Sequence, residues 1–158
     1  MSKIKPCLWF NGEAEHAAQF YVSLFEDASI GEVSRYGEGM PFPSGTALMV
    51  EFTLFGQCYQ ALNGGPNYAH SEAISLSVSC KDQAEVDHYW QALTTHGGAE
   101  SMCGWCKDRF GVSWQIVPEG LSSLMTDPDP GRRGRAVKAM MGMKKLDLAA
   151  MLAAAGAA

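Results

Sequence analysis

Two phrases, "FGQCYQALN" at residues 55–63 and "FGVSWQIVP" at 110–118, restrict the fold of this chain more than any other feature. In each, Phe-Gly is followed by an aromatic residue three positions after the glycine and then by glutamine. The residues are Gly56, Tyr59 and Gln60 in the first phrase and Gly111, Trp114 and Gln115 in the second. Strand residues alternate between faces, so Gln60 and Gln115 fall on equivalent faces of two equivalent strands, with Tyr59 and Trp114 on the opposite faces.

The preceding segments repeat as well. "GEAEHAAQFYVSLFED" follows Asn11, a candidate N-cap, and sets Ala17, Phe20, Tyr21 and Leu24 at helical spacing. "KDQAEVDHYWQALTTHGG" sets Val86, Tyr89, Trp90 and Leu93 at the same offsets and stops at Gly97-Gly98. A short strand, "KPCLWF" or "EAISLSVSC", precedes each helix. The pattern predicts a mixed α+β fold built from a duplicated β-α-β-β-β unit. The modules span about residues 1–66 and 70–118 within a body of residues 1–130, and the loop "YGEGMPFPSG" lengthens the first copy. Residues 131–158 follow as a basic helical tail.

Alternation assigns the faces. Leu48, Val50, Phe52 and Leu54 in one strand, and Ile74, Leu76 and Val78 in another, are predicted to point toward helices. The other face carries Glu51, Thr53, Gln60, Ser75, Ser77 and Gln115, a set that either lines a pocket or meets water. Trp105 with Met40, Phe42 and Tyr68 in nearby loops are candidate walls, and Cys103 joins Trp105 as a candidate ligand-binding residue. Glu51 is a candidate general base if burial raises its pKa, and Cys103 a candidate nucleophile if Lys107 or Arg109 stabilises its thiolate. No catalytic residue is assigned. Cys103-Gly-Trp-Cys106 has CxxC spacing, but there is no second pair and a turn and strand follow it, which disfavours redox and zinc chemistry.

Charge limits the partners. Residues 1–130 hold 6 Lys and Arg against 16 Asp and Glu, whereas residues 131–158 hold 6 against 1. An acidic body argues against nucleic acid, and the basic tail is left to pack on its own chain or on an acidic partner surface. Five cysteines, an odd number, argue against a disulfide scaffold. No apolar run approaches a membrane span, and the start "MSKIKPCLWF" lacks a secretory pattern, so the expectation is a cytoplasmic protein without membrane contact.

"KPCLWFNGEAEHAAQFYVSLF", "ALNGGP", "EAISLSVSC", "CGWCKDRFGVSWQIVP" and "DPDPGRRGRAVKAMMGMKKLDLAAM" together resemble the PhnB-like branch of the vicinal oxygen chelate (glyoxalase/bleomycin-resistance/dioxygenase) superfamily. Members of this branch commonly carry the label 3-demethylubiquinone 3-methyltransferase. The resemblance implies two curved mixed sheets around a cleft, a small organic ligand between the modules, and a homodimer. It also carries the superfamily's metal-ligand positions onto Gln60 and Gln115 in the last strands and Pro6 and Ala73 in the first. Two neutral amides, a proline and an alanine make a poor divalent site, so neither metal nor cofactor is expected. His70 is the one histidine placed to reach the cleft. The expected function is therefore metal-independent binding of a small organic molecule, possible chemistry included. Alternatives are the quinone-type O-methyltransferase of the family label, a divalent-metal glyoxalase or dioxygenase, and a non-catalytic dimeric binding protein.

Overall fold

The computed structural model describes residues 3–157. The chain divides into two compact units, Met1–His70 and Ser71–Ala158. The first contains β1 (Cys7–Phe10), α1 (Ala14–Leu24), β2 (Ala28–Arg35), β3 (Ala47–Leu54) and β4 (Gln57–Asn63). The second contains β5 (Leu76–Cys80), α2 (Gln83–Thr94), β6 (Ala99–Glu100), β7 (Trp105–Lys107) and β8 (Ser113–Pro118), then α3 (Leu121–Met125), α4 (Pro130–Met141) and α5 (Leu148–Gly156). Both sheets have the same connectivity: β1-β4-β3-β2 in one and β5-β8-β7-β6 in the other. In each, the first and last strands pair in parallel and the other pairs are antiparallel. The duplication read from the two phrases is the duplication of the fold.

Each Phe-Gly stands at the hairpin leading into the last strand of its unit, but the two turns differ. Phe55 (φ 47°) and Gly56 (φ 74°) are the only residues between β3 and β4, a two-residue turn with both φ angles positive. In the second unit the connection runs from Asp108 to Val112. Asp108 organises it: Oδ1 accepts the backbone N–H groups of Phe110 and Val112, and Oδ2 accepts the indole N–H of Trp114.

The cores follow the helical stripes. Val86, Tyr89, Trp90 and Leu93 of α2 are buried, as their spacing predicts, and α2 packs against β8, where Trp114 and Ile116 are buried. Burying each such side chain stabilises by about 1.5–3 kcal/mol. On α1 the buried face is Ala14, Ala17, Ala18 and Tyr21, while Phe20 and Leu24 stay half-buried. Three alanines let the helix lie close on the sheet, which turns the stripe away from Phe20 and Leu24 and sets Tyr21 against Phe52 of β3 at 6.0 Å between ring centroids.

Three local expectations are corrected. Asn11 is not the cap of α1. The N-cap position is Glu13, which caps nothing with its side chain, and the first amides are taken by Asn63 at the end of β4. β5 begins at Leu76, so Ile74 lies before the strand and is 63% exposed instead of facing a helix. The inward phase of β3 breaks at Leu48, which is half-buried, because the β2–β3 register slips between Ser34 and Arg35.

The tail belongs to the second unit. Leu124, Ala136, Leu146, Met151 and Ala155 form a small buried core among α3, α4 and α5. The Met143 and Lys144 carbonyls accept the backbone N–H groups of Cys103 and Gly104, at 2.7 Å each. Lys144 pairs with Glu100 and Lys145 with Asp87. These two lysines thus find acidic partners on their own chain. Among the described residues, no helix is long and apolar enough to cross a membrane.

Candidate functional site

In the second unit, β6 and β7 run antiparallel and β7 pairs with β8, so the side chains of Trp105 and Gln115 share one face, as do those of Lys107 and Ser113. On this side lies a cavity of about 570 Å³, within the range of small-molecule sites. Met102, Cys103 and Trp105 provide much of its wall, and Glu72, Lys107 and Ser113 provide polar groups. Lys107 and Glu72 form an ion pair at 2.5 Å, and the ammonium beside Glu72 holds its carboxyl below the usual carboxylate range. Ser113 is 2% exposed, and its hydroxyl has no hydrogen-bond partner among the described residues.

The predicted residues fall into separate clusters. Cys103 and Trp105 line the cavity. Gln115 is half-buried and donates its amide N–H to Ser75 Oγ at 2.9 Å, while Ser77 stands beside it in the β5–β8 register. Glu51, Thr53 and Gln60 belong to the first unit. There Lys5 Nζ lies 2.7 Å from Glu51 Oε1, and the Gln60 amide donates to the same oxygen at 3.1 Å. Thr53 exchanges a hydroxyl hydrogen bond with Ser29. Each glutamine thus has a side-chain partner in its own unit. Of the expected loop walls, Tyr68 stacks edge-on against Trp9, Phe42 lies against Tyr36, and Met40 Sδ accepts the Gly37 N–H.

The candidate chemistry changes accordingly. Glu51 does not have the raised pKa that a general base requires here. Hydrogen bonds from Lys5 first, and Gln60 second, hold its carboxyl below the usual range. Cys103 does not receive its expected cationic partner from Lys107, which pairs with Glu72, and Arg109 lies over the Phe110 ring; the thiol touches Met141 Sδ at 3.9 Å. Cys106 is buried, and burial pushes its thiol up to about 12, so at neutral pH it is an inert small apolar group.

A divalent ion fits poorly. The strand register places Cys7 opposite Gln60 and Ser77 opposite Gln115, and the Pro6 carbonyl accepts the Gln60 backbone N–H. Among the described residues no three His, Cys, Asp or Glu side chains come together. The acidic group beside Gln60 is already neutralised by Lys5. His70 packs edge-on against the buried Phe10, 5.2 Å between ring centroids, while His16, His88 and His96 are exposed.

A methyl-donor cradle fits no better. The glycine-rich turn "ALNGGP" is filled by tryptophan: a Cβ on Gly64 would stand 2.3 Å from the Trp9 ring, and Trp9 Nε1 donates to the Gly65 carbonyl. Gly64 serves close packing against Trp9, and Gly65 supplies a turn residue at φ 100°.

Sequence reading missed Lys5, Ser113 and Asn63. Lys5 and Ser113 gain their meaning only through cross-strand register. Asn63 carried a local signal, a polar residue ending an apolar strand, but its partners are 16 and about 50 positions away.

Comparison with known proteins agrees with this architecture. The sequence model of a family described as 3-demethylubiquinone-9 3-methyltransferase matches residues 2–117. Among solved structures, a PhnB protein from Bacillus cereus is 36% identical, with 74% of this chain covering 99% of that one at a TM-score of 0.69. A protein from Pseudomonas aeruginosa is 22% identical over 75% of this chain and 98% of its own, with a TM-score of 0.61. The genomically encoded fosfomycin resistance protein of Listeria monocytogenes, solved with Mn(II), shares the fold at 12% identity, 74% and 92% coverage and a TM-score of 0.52. No curated protein sequence matches the chain. The family model stops at residue 117, before the C-terminal helices α3–α5.

Proposed function

The chain belongs to the PhnB-like 3-demethylubiquinone-9 3-methyltransferase family of the glyoxalase/bleomycin-resistance fold, and we propose that it binds a small organic molecule in the cavity of the second unit without using a metal ion. The observation that supports this reading is the cavity itself. Its wall of Trp105, Met102 and Cys103 is largely apolar, and only a few polar groups break it, the balance typical of sites that recognise organic molecules. Trp105 offers a ring face for stacking, and the Cys103–Gly104 turn that carries the rim is held by two backbone hydrogen bonds to the tail. The proposed role is binding; no chemical step is assigned to Glu51 or Cys103, for the reasons of charge and contact given above.

Native mass spectrometry and elemental analysis of full-length protein purified without added metal test this. The expected result is a bound organic mass that is lost or weakened in Trp105→Ala, with no stoichiometric metal. About one metal per chain, retained through chelation-sensitive melting, overturns the metal-free reading.

A further inference from the structure

The cavity has one internal asymmetry. Lys107 and Ser113 are direct cross-strand partners on the β7–β8 pair, so their side chains share one face with that of Trp105, and all three residues line the cavity. Ser113 is almost fully buried, and a buried hydroxyl without a partner costs about 1–3 kcal/mol relative to one that is satisfied. The fold therefore keeps a donor here that the described residues do not use.

Charge around the cavity narrows what can use it. Two carboxylates line it, Glu72 and Glu100. Glu100 is fully engaged, accepting the Trp90 indole N–H at 2.9 Å and pairing with Lys144 at 3.2 Å. Glu72 differs: it lies in the segment before β5, and its side chain is 65% exposed while that of Lys107 is 37% exposed. An ion pair this open contributes little, so Glu72 is a displaceable partner for Lys107.

We infer that Lys107 and Ser113 form an anion subsite for the carboxylate, or an equivalent oxyanion, of a small organic acid whose apolar, ring-bearing body lies on Trp105. In this arrangement the ligand oxyanion replaces Glu72 at the Lys107 ammonium and accepts the Ser113 hydroxyl hydrogen. A charge-assisted pair of contacts replaces a solvent-exposed one and satisfies the orphan donor. This rests on the proposed binding cavity and specifies the class of molecule it takes.

The test uses 4-fluorobenzoate and its neutral analogue 4-fluorobenzamide, with binding to the full-length protein followed by fluorine NMR at neutral pH. The carboxylate is expected to bind about tenfold more tightly than the amide, the value of one charge-assisted contact. Lys107→Met should abolish that preference, Ser113→Ala should weaken the carboxylate several-fold, and Glu72→Gln should tighten it by removing the competitor. Glu72 and Lys107 lie at the surface and Ser113→Ala removes an unpaired hydroxyl, so all three variants should melt close to the parent. Equal binding of acid and amide, or no gain in Glu72→Gln, overturns the anion subsite and leaves the cavity reading standing. If neither probe binds at millimolar concentration, both readings fall.

Discussion

Replacing Asn63 with alanine should unfold the first unit far more readily than its position at a strand end suggests. Asn63 is fully buried. Its Oδ1 accepts the N–H groups of Gly12 at 2.8 Å and Ala14 at 3.0 Å, its Nδ2 donates to the Ala47 carbonyl at 2.8 Å, and its own carbonyl accepts the Tyr36 hydroxyl at 2.6 Å. Asn63→Ala removes the three side-chain bonds, worth about 1 kcal/mol each. It also strips a partner from the buried Ala14 amide and Ala47 carbonyl, so the expected cost is about 3–5 kcal/mol. Asn11→Ala is the matched control. Asn11 is the cap that spacing suggests, but Glu13 holds the N-cap position, so the control should change stability by less than about 0.5 kcal/mol. Urea unfolding, together with hydrogen exchange of the first amides of α1, measures both. A cost below about 1 kcal/mol for Asn63→Ala, or equal costs for the two variants, refutes the assignment of Asn63 as the remote cap.

Four further outcomes are expected. Gln115→Leu removes a half-buried side chain bonded to Ser75 and should change stability by no more than about 1 kcal/mol, as an equilibrium melt will show; a loss of several kcal/mol makes it a structural residue. Leu146→Ala empties the centre of the tail core and should cost about 2–4 kcal/mol, while speeding alkylation of Cys103, whose backbone hangs on the same segment. Alkylation of native protein followed by peptide mass mapping should leave Cys80 and Cys106, both thiols pushed up to about 12, unmodified at pH 8. Glu51, Glu100 and Asp87 have carboxyls depressed by Lys5, by Trp90 and by Lys145 respectively. The unfolded chain therefore binds more protons below its ordinary carboxylate pKa, and the melting temperature should fall as pH drops through and below about 4.5; a flat profile there contradicts these pairings.

The parts of the fold legible from sequence were those written in local periodicity. The stripe Val86, Tyr89, Trp90 and Leu93 faces the core as its spacing requires, and the two Phe-Gly phrases do lead into equivalent last strands. Errors arose where a distant residue decided a local question. Asn63 caps a helix that begins about 50 positions earlier, and Lys5 sets the ionisation of Glu51 from 46 positions away. The family phrases located the last-strand glutamines correctly, but the phase of the first strands depends on pairing partners about 40–50 positions away. Register alone shows that Cys7 and Ser77 stand opposite the glutamines.

Register also explains why function should differ between modules that share one frame. Aligning Gln60 with Gln115 makes Glu51 the counterpart of Trp105, and makes the cross-strand pair Thr53 and Cys58 the counterpart of Lys107 and Ser113. In the first module these positions are closed on themselves. Glu51 is held by Lys5 and Gln60, Thr53 is bonded to Ser29, and a space of about 160 Å³ lies beside Glu51. In the second module the carboxylate position has become an indole, the threonine a lysine tied to an exposed glutamate, and the cysteine a serine whose hydroxyl is unmatched, around about 570 Å³. A duplicated frame costs nothing in folding by having one half saturated. The unsatisfied half is where binding energy remains to be gained, because a ligand there gains contacts that no side chain already supplies. Grafting the first module's pair onto the second, as Lys107→Thr with Ser113→Cys, should therefore keep the sheet and lose the site, and a double variant that still prefers 4-fluorobenzoate over 4-fluorobenzamide defeats the argument.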